Sequence, residues 1–266
     1  MTDSLSTLTA LRHRIAALNH RREVEDVGLL VTGHAALDAA LGGGLAKGRL
    51  HELFSAQAED AGSAAGFALL IGLLAGADET QPLLWLRTEG AERVGGRLYG
   101  PGLAAFGLDP ARLLLGVMQD EAMLLRAAAD ALRCPGLAAV VVECWGNPRI
   151  LDLTASRRLT LAAEGSGVTA LLLRLDAQPS PSAAETRWQV AAAPSGAATG
   201  ASGDRLLGRS AFYIELLRRR AGPDGLRWRL EWNRERRHFE DPGQQAALSG
   251  ALVSLPAAGP AADRAA

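Results

Sequence analysis

Leu50-His-Glu-Leu-Phe-Ser-Ala-Gln-Ala-Glu-Asp-Ala-Gly-Ser-Ala-Ala-Gly-Phe-Ala-Leu-Leu-Ile-Gly-Leu-Leu-Ala75 passes from a short apolar strand, through a loop of small residues, into a nearly all-apolar helix. With the strand at 50–54 and the helix at 64–75, this is the setting of the phosphate-binding signature G-x-x-x-x-G-K-[ST]. There, backbone N–H groups cradle phosphates, the lysine reaches the outer phosphate oxygens and the hydroxyl holds magnesium. Here the loop is degenerate. Gly62 lies within it and Gly66-Phe67-Ala68 stands in place of Gly-Lys-Thr, after a loop roughly three residues longer than usual. The single lysine, Lys47, precedes the strand and reads as solvated, and no Lys or Arg occurs between Arg49 and Arg87. Glu59 and Asp60 add negative charge that repels phosphate. Neither a nucleotide cofactor nor a metal is expected, and no catalytic residue is assigned.

Outward from this stretch, strand-like and helix-like patterns alternate, which points to an α/β fold with a mostly parallel sheet and crossover helices. Strands are predicted at 82–86, 112–118, 137–143 and 168–175, and helices at 121–133 and 151–164. Upstream, 37–45 reads as a turn-rich approach, in which Gly42, Gly43 and Gly44 make a tight connection rather than a phosphate loop. The stretch from Gly95 to Gly102 reads as a glycine-rich connection. Beyond Pro179 the character changes. Pro- and Gly-rich loops separate segments at 186–192, 212–219 and 226–232, predicted as antiparallel strands, the last two forming a hairpin over Gly222-Pro-Asp-Gly225.

The 266 residues suffice for one domain of about 200–250 residues plus tails. Residues 1–30 are expected to form an N-terminal helix or docking arm, with Leu8, Leu11, Ile15 and Leu18 as its apolar stripe. Residues 31–240 form the core, with the C-terminal hairpin at about 211–235, and 241–266 reads as a disordered tail. The formal net charge of -1 hides a basic C-terminal part. Cys134 and Cys144 form no C-x-x-C pair, the N-terminus has no signal-peptide pattern, and the longest apolar run, 67–77, is too short to cross a bilayer. Together these point to a cytoplasmic protein without membrane partners.

Three strings, Gly-Leu-Asp-Pro-Ala-Arg-Leu-Leu-Leu115, Leu132-Arg-Cys-Pro-Gly-Leu-Ala-Ala-Val-Val141 and Leu151-Asp-Leu-Thr-Ala-Ser-Arg-Arg-Leu159, resemble the ImuA family of bacterial damage-inducible mutagenesis proteins. More broadly, the order of elements and the approach Leu37-Asp-Ala-Ala-Leu-Gly-Gly-Gly-Leu-Ala-Lys-Gly-Arg-Leu-His-Glu-Leu53 are similar to a RecA-type recombinase core, over about residues 8–235. The resemblance implies a RecA-like accessory protein of an SOS-induced translesion synthesis cassette. Its implied partners are an ImuB-type polymerase-like protein, an error-prone replicative-type DNA polymerase and RecA itself.

Individual positions carry more than one reading each. On the resemblance, Glu89 falls where RecA-type ATPases hold the water-activating glutamate; without a phosphate lysine it reads as a vestigial or surface-paired carboxylate. Glu143, at the predicted end of its strand, could be a magnesium-supporting acid, but a buried hydrogen-bonding role is favoured. Arg157 and Arg158 read as a solvated helix face or a partner contact. Arg218, Arg219, Arg220, Arg227, Arg229, Arg234, Arg236 and Arg237 fit three roles equally: a phosphate-contacting patch giving weak DNA binding, a docking surface for an acidic partner, or charge that guards a sheet edge. The N-terminal leucines either pack on their own core or dock on a neighbouring subunit. The preferred function is a non-catalytic scaffold; the alternatives are a diverged ATPase or DNA-binding motor and a SulA-type cell-division inhibitor.

Overall fold

The computed structural model describes residues 28–76, 81–195, 198–199, 205–206 and 208–241. The arm residues Leu8, Leu11, Ile15 and Leu18 and the tail from 242 onward lie outside the described residues. The core is built from β1 (Leu29–Leu30), α1 (Ala35–Leu41), β2 (Leu45–Ala46), β3 (Leu50–Phe54), α2 (Ala61–Ala75), β4 (Leu83–Thr88), α3 (Glu89–Gly95), α4 (Gly100–Phe106) and β5 (Leu113–Met118). Then follow α5 (Glu121–Ala131), β6 (Ala139–Trp145), α6 (Leu153–Ser166), β7 (Thr169–Leu175), β8 (Thr186–Ala192), β9 (Ala198–Thr199), β10 (Arg205–Leu206), β11 (Ala211–Arg219), β12 (Leu226–Asn233) and β13 (His238–Glu240).

One nine-stranded sheet runs in the order β13-β12-β11-β8-β3-β7-β6-β4-β5. Strands β8, β3, β7, β6, β4 and β5 are mutually parallel, and β11, β12 and β13 extend the sheet by antiparallel pairing. Strand β8 corrects the sequence expectation. It is parallel to β3 on one side and antiparallel to β11 on the other, so it joins the two regimes instead of opening an antiparallel unit.

The central strands read as continuous apolar runs because both faces are covered. Val140 and Val142 of β6 pack with Leu124 and Ala128 of α5 and Leu159 and Ala163 of α6; Val141 turns to the other face, against α2. Helix α2 lies close on the sheet because Gly72 has no Cβ, which would sit 2.8 Å from Leu83 Cδ1. Side-chain caps fix the helix starts: Asp120 accepts from the Met123 N–H at 2.7 Å and Asp152 from the Ala155 N–H at 2.7 Å.

Three helices stand where loops were expected. The approach segment holds α1, capped by the His34 ring, whose Nδ1 accepts from the Leu37 N–H at 3.2 Å. The glycine-rich connection holds α3 and α4. The glycines after α1 do make a tight link to β2: Gly44 has φ +142, and a Cβ there would lie 2.3 Å from the Leu30 carbonyl oxygen. The helical stretch Ala58–Ala75 is long and apolar enough to span a membrane by composition, longer than the run counted in the sequence, yet its inner side packs on the sheet. Core packing explains that apolarity.

Candidate functional site

In open parallel sheets, ligands sit in the crevice beyond the carboxyl ends of the strands. Here that edge carries the loop after β3, Thr88 at the end of β4 with Glu89 after it, Trp145 at the end of β6 with Gly146 after it, and Asp176 after β7. Helix α2 begins at Ala61, three residues before the sequence expectation, so the eight positions of the phosphate-loop signature fall on residues 55–62 with no insertion. The expected lengthened loop and the alignment of Gly66, Phe67 and Ala68 with Gly-Lys-Thr are therefore both corrected. Asp60, Ala61 and Gly62 hold those three places, while Gly66, Phe67 and Ala68 are buried one turn further along, with Phe67 5.7 Å from Phe212 and 5.4 Å from Phe239 between ring centres.

The backbone of this loop is committed elsewhere. Residues Ala58–Asp60 wind into a 3-10 turn, in which the Asp60 N–H donates to the Gln57 carbonyl at 3.3 Å and the Ala61 N–H to the Ala58 carbonyl. An anion nest needs successive N–H groups turned outward by alternating backbone handedness. None of the described residues from 55 to 66 has a positive φ. The ends are fastened too. Ser55 is fully buried and its hydroxyl accepts from the Asp176 N–H at 3.0 Å, while the Asp60 carboxylate accepts from the Ala192 N–H at 2.8 Å, pinning the loop to the end of β8.

Glu143 lies inside β6, two residues before its end, not at the terminus. It is 3 % exposed, and its oxygens accept from Trp85 Nε1 at 2.8 Å, Trp145 Nε1 at 2.9 Å and the Arg87 guanidinium at 3.0 Å. Arg87 in turn donates to the Ala91 and Gly96 carbonyls, holding α3 over the knot at 2.9 and 2.8 Å. With three donors around it and a helix above, this carboxylate does not face the crevice. Glu89 does: it is exposed at the first turn of α3, and among the described residues its carboxylate has no partner. The two acids thus differ in setting: Glu143 is buried in a hydrogen-bonded knot and Glu89 is exposed.

A second buried polar cluster was missed. Glu52, Arg174 and Arg187 meet on the α5–α6 face of the sheet, with Arg187 2.6 Å from Glu52 and both guanidinium groups stacked on Phe54 at 5.2 and 5.5 Å. Arg174 also donates to the Asn147 side chain at 2.8 Å, and burial lowers its pKa. The signal was present: Arg174 inside Ala-Leu-Leu-Leu-Arg-Leu175 and Glu52 inside Leu50-His-Glu-Leu-Phe54 both put a charge into an otherwise buried strand. Cys144, beside this cluster, has its thiol pushed up to about 12 by burial, which leaves it unreactive. Among the described residues no group of three or more His, Cys, Asp or Glu could hold a metal.

The hairpin arginines do not form one patch. Arg219 is half-buried and donates to the Ala40 and Leu41 carbonyls at 2.6 and 3.0 Å, capping the end of α1. Arg227 pairs with Glu215 at 3.0 Å and Arg229 with Glu231 at 3.0 Å. Arg234, Arg236 and Arg237 sit at the opposite end of β12, about 24 Å away by strand rise. There Arg236 pairs with Glu240 at 3.7 Å and Arg237 reaches the Gly107 carbonyl at 3.4 Å. Arg218 and Arg220 remain exposed, and the fold brings them to Arg157 of α6 around a cleft of about 220 Å³.

No family model matches the chain. Protein ImuA of Caulobacter vibrioides, in strains NA1000 / CB15N and ATCC 19089 / CIP 103742 / CB 15, is 35% identical over 210 residues, spanning 74% of this chain and 81% of the relative. The crystal structure of the RadB recombinase superposes with a TM-score of 0.53 over 80% of this chain and 99% of that one, at 19% identity, which establishes a RecA-like fold.

Proposed function

Because the chain belongs to the ImuA family, we propose that it is a non-catalytic RecA-like accessory protein of an SOS-induced translesion synthesis complex, acting in the cytoplasm through contacts with an ImuB-type polymerase-like protein and with RecA. The observation that carries the non-catalytic part is the register of α2. It puts Ala61 and Gly62 in the lysine and hydroxyl places, behind an acidic Asp60. Phosphoryl transfer rests on positioning and charge neutralisation, and this loop offers neither. The knot around Glu143 supports the same reading, since a carboxylate held by two indoles and a guanidinium is a structural anchor.

The test is equilibrium binding of a fluorescent ATP analogue with magnesium, together with a phosphate-release assay. The expected outcome is no saturation at micromolar nucleotide and no hydrolysis above background. Hydrolysis that disappears in Glu89→Gln would overturn the proposal. For the assembly part, co-expression with an ImuB-type protein should give a complex that survives affinity purification; a chain that elutes alone strikes that part down. DNA contact is proposed as weak and salt-sensitive. Arg218 and Arg220 stand exposed beside Arg157 and are the positions proposed to make it, so binding to a single-stranded oligonucleotide should fall in Arg218→Ala/Arg220→Ala.

A further inference from the structure

Helix α6 covers the sheet with Leu159, Ala162 and Ala163 and turns an unusual surface outward. Leu153 and Leu161 are 51 and 59 % exposed, and Ile150, just before the helix, is 48 % exposed. Leu153, Arg157 and Leu161 follow at i, i+4 and i+8, so they form one stripe about 12 Å long. A groove of about 370 Å³ runs along one side of it, between α5 and α6, with Leu125, Ala129 and Ala155 at its base and Arg126 and Arg158 on its rims. On the other side lies the cleft of Arg157, Arg218 and Arg220.

The charges around this face are unbalanced. Among the described residues, Arg126, Arg157 and Arg158 have no hydrogen bond or ion pair, and Arg220 approaches acids only at 3.9 and 4.0 Å. The acids nearby are already used: Asp152 caps α6 and Glu164 pairs with Arg49. Exposed aliphatics between unpaired cations call for an occupant that carries both aliphatics and carboxylates. Neither end of this chain supplies one with a net negative charge. Residues 1–27 carry four acids, Asp3, Glu23, Glu25 and Asp26, balanced by four arginines, Arg12, Arg14, Arg21 and Arg22, and 242–266 contain one acid, Asp263, beside Arg264. A nucleic acid would satisfy the arginines and leave the leucines in water.

We propose that the outer face of α6 docks an acidic, leucine-bearing helix of another protein, its aliphatics against Leu153 and Leu161 and its carboxylates against Arg126, Arg157 and Arg158. This rests on the accessory role proposed above and names its contact surface. The mode is an amphipathic helix laid into a groove, with charge setting specificity against basic competitors.

The probe is a fluorescein-labelled designed helix with leucines along one face and glutamates flanking them, read by anisotropy on the full chain at low salt; its twin has lysine for every glutamate. The glutamate helix should bind and the lysine helix should not. Arg157→Glu/Arg158→Glu, and separately Leu161→Ser, should each weaken binding roughly ten-fold or more. Arg234→Glu, at the far end of the hairpin, should leave it unchanged. All these positions are exposed, so unaltered thermal unfolding midpoints certify the fold. Equal binding by wild type and both α6 variants, or equal binding of the two helices, overturns the docking face. So does a concentration-dependent dimer that Leu161→Ser abolishes, which would give the face to a second copy. The wild-type chain's co-purification with its polymerase-like partner is read separately: its loss strikes the accessory role, and its retention beside unchanged peptide binding strikes only this surface.

Discussion

Glu143 shows how a residue in an acid position can be turned to structural use. Removing its carboxylate would strand a buried guanidinium and two indole N–H groups, a loss of about 3–5 kcal/mol. Urea denaturation of Glu143→Ala should therefore show a sharply lower midpoint, with no change in oligonucleotide binding. His51 makes a different prediction. It lies in a chain in which Trp188 donates to the Thr186 hydroxyl at 2.6 Å, that hydroxyl bonds His51 Nδ1 at 2.7 Å, and His51 Nε2 bonds the Ala46 carbonyl at 2.9 Å. With the hydroxyl donating to Nδ1, the neutral ring satisfies every partner. Burial lowers its pKa to about 4, so the unfolded chain takes up a proton that the folded chain refuses. Stability is thus intact above pH 6.5 and falls by about 1.4 kcal/mol per pH unit on the way down to about pH 4. Denaturant midpoints at pH 7 and pH 5 should differ in the wild type, and much less in His51→Gln.

Arg219 belongs to the scale of elements, since its guanidinium closes the carboxyl end of α1 from across the molecule. Arg219→Ala should lower stability by about 1.5–3 kcal/mol, measured by thermal unfolding, while oligonucleotide binding stays as in the wild type. A combined Arg218/Arg219/Arg220 variant would confuse this loss with a binding defect, so the positions should be changed singly. Nothing in the sequence pairs residue 219 with residues 40 and 41, and α1 itself was hard to read. Its cap is a histidine, outside the usual Ser, Thr, Asp and Asn set, and it ends in Gly-Gly-Gly44, which suggests loop. The start of α2 was misplaced for a related reason: Ala61 to Ala65 carries no apolar periodicity, yet alanine favours helix strongly enough to begin it early. The central strands were legible because burial on both faces makes them uniformly apolar, and that same uniformity hid which neighbour each one takes. The buried role of Glu143 was readable from a charge ending an apolar run; its partners Trp85 and Arg87 depend on sheet register, which the local sequence does not encode.

The whole molecule hangs on the seam between its parallel and antiparallel parts. Phe67 of α2, Phe212 of β11, Trp232 of β12 and Phe239 of β13 form one aromatic cluster, with Trp232 and Phe239 5.0 Å apart. The C-terminal strands therefore complete the core, and deleting them to test partner binding would also strip the cover from α2. Phe67→Ala should cost about 3–5 kcal/mol and lower a single, shared unfolding transition; two separated transitions would show that the halves fold independently. The seam also gives the loop after β3 a mechanical character. The loop is clipped by Asp60 to the last residue of β8, the strand at the seam. In hydrogen–deuterium exchange the Ala192 amide should be released more slowly in the wild type than in Asp60→Ala, which removes the acceptor and unclips the loop.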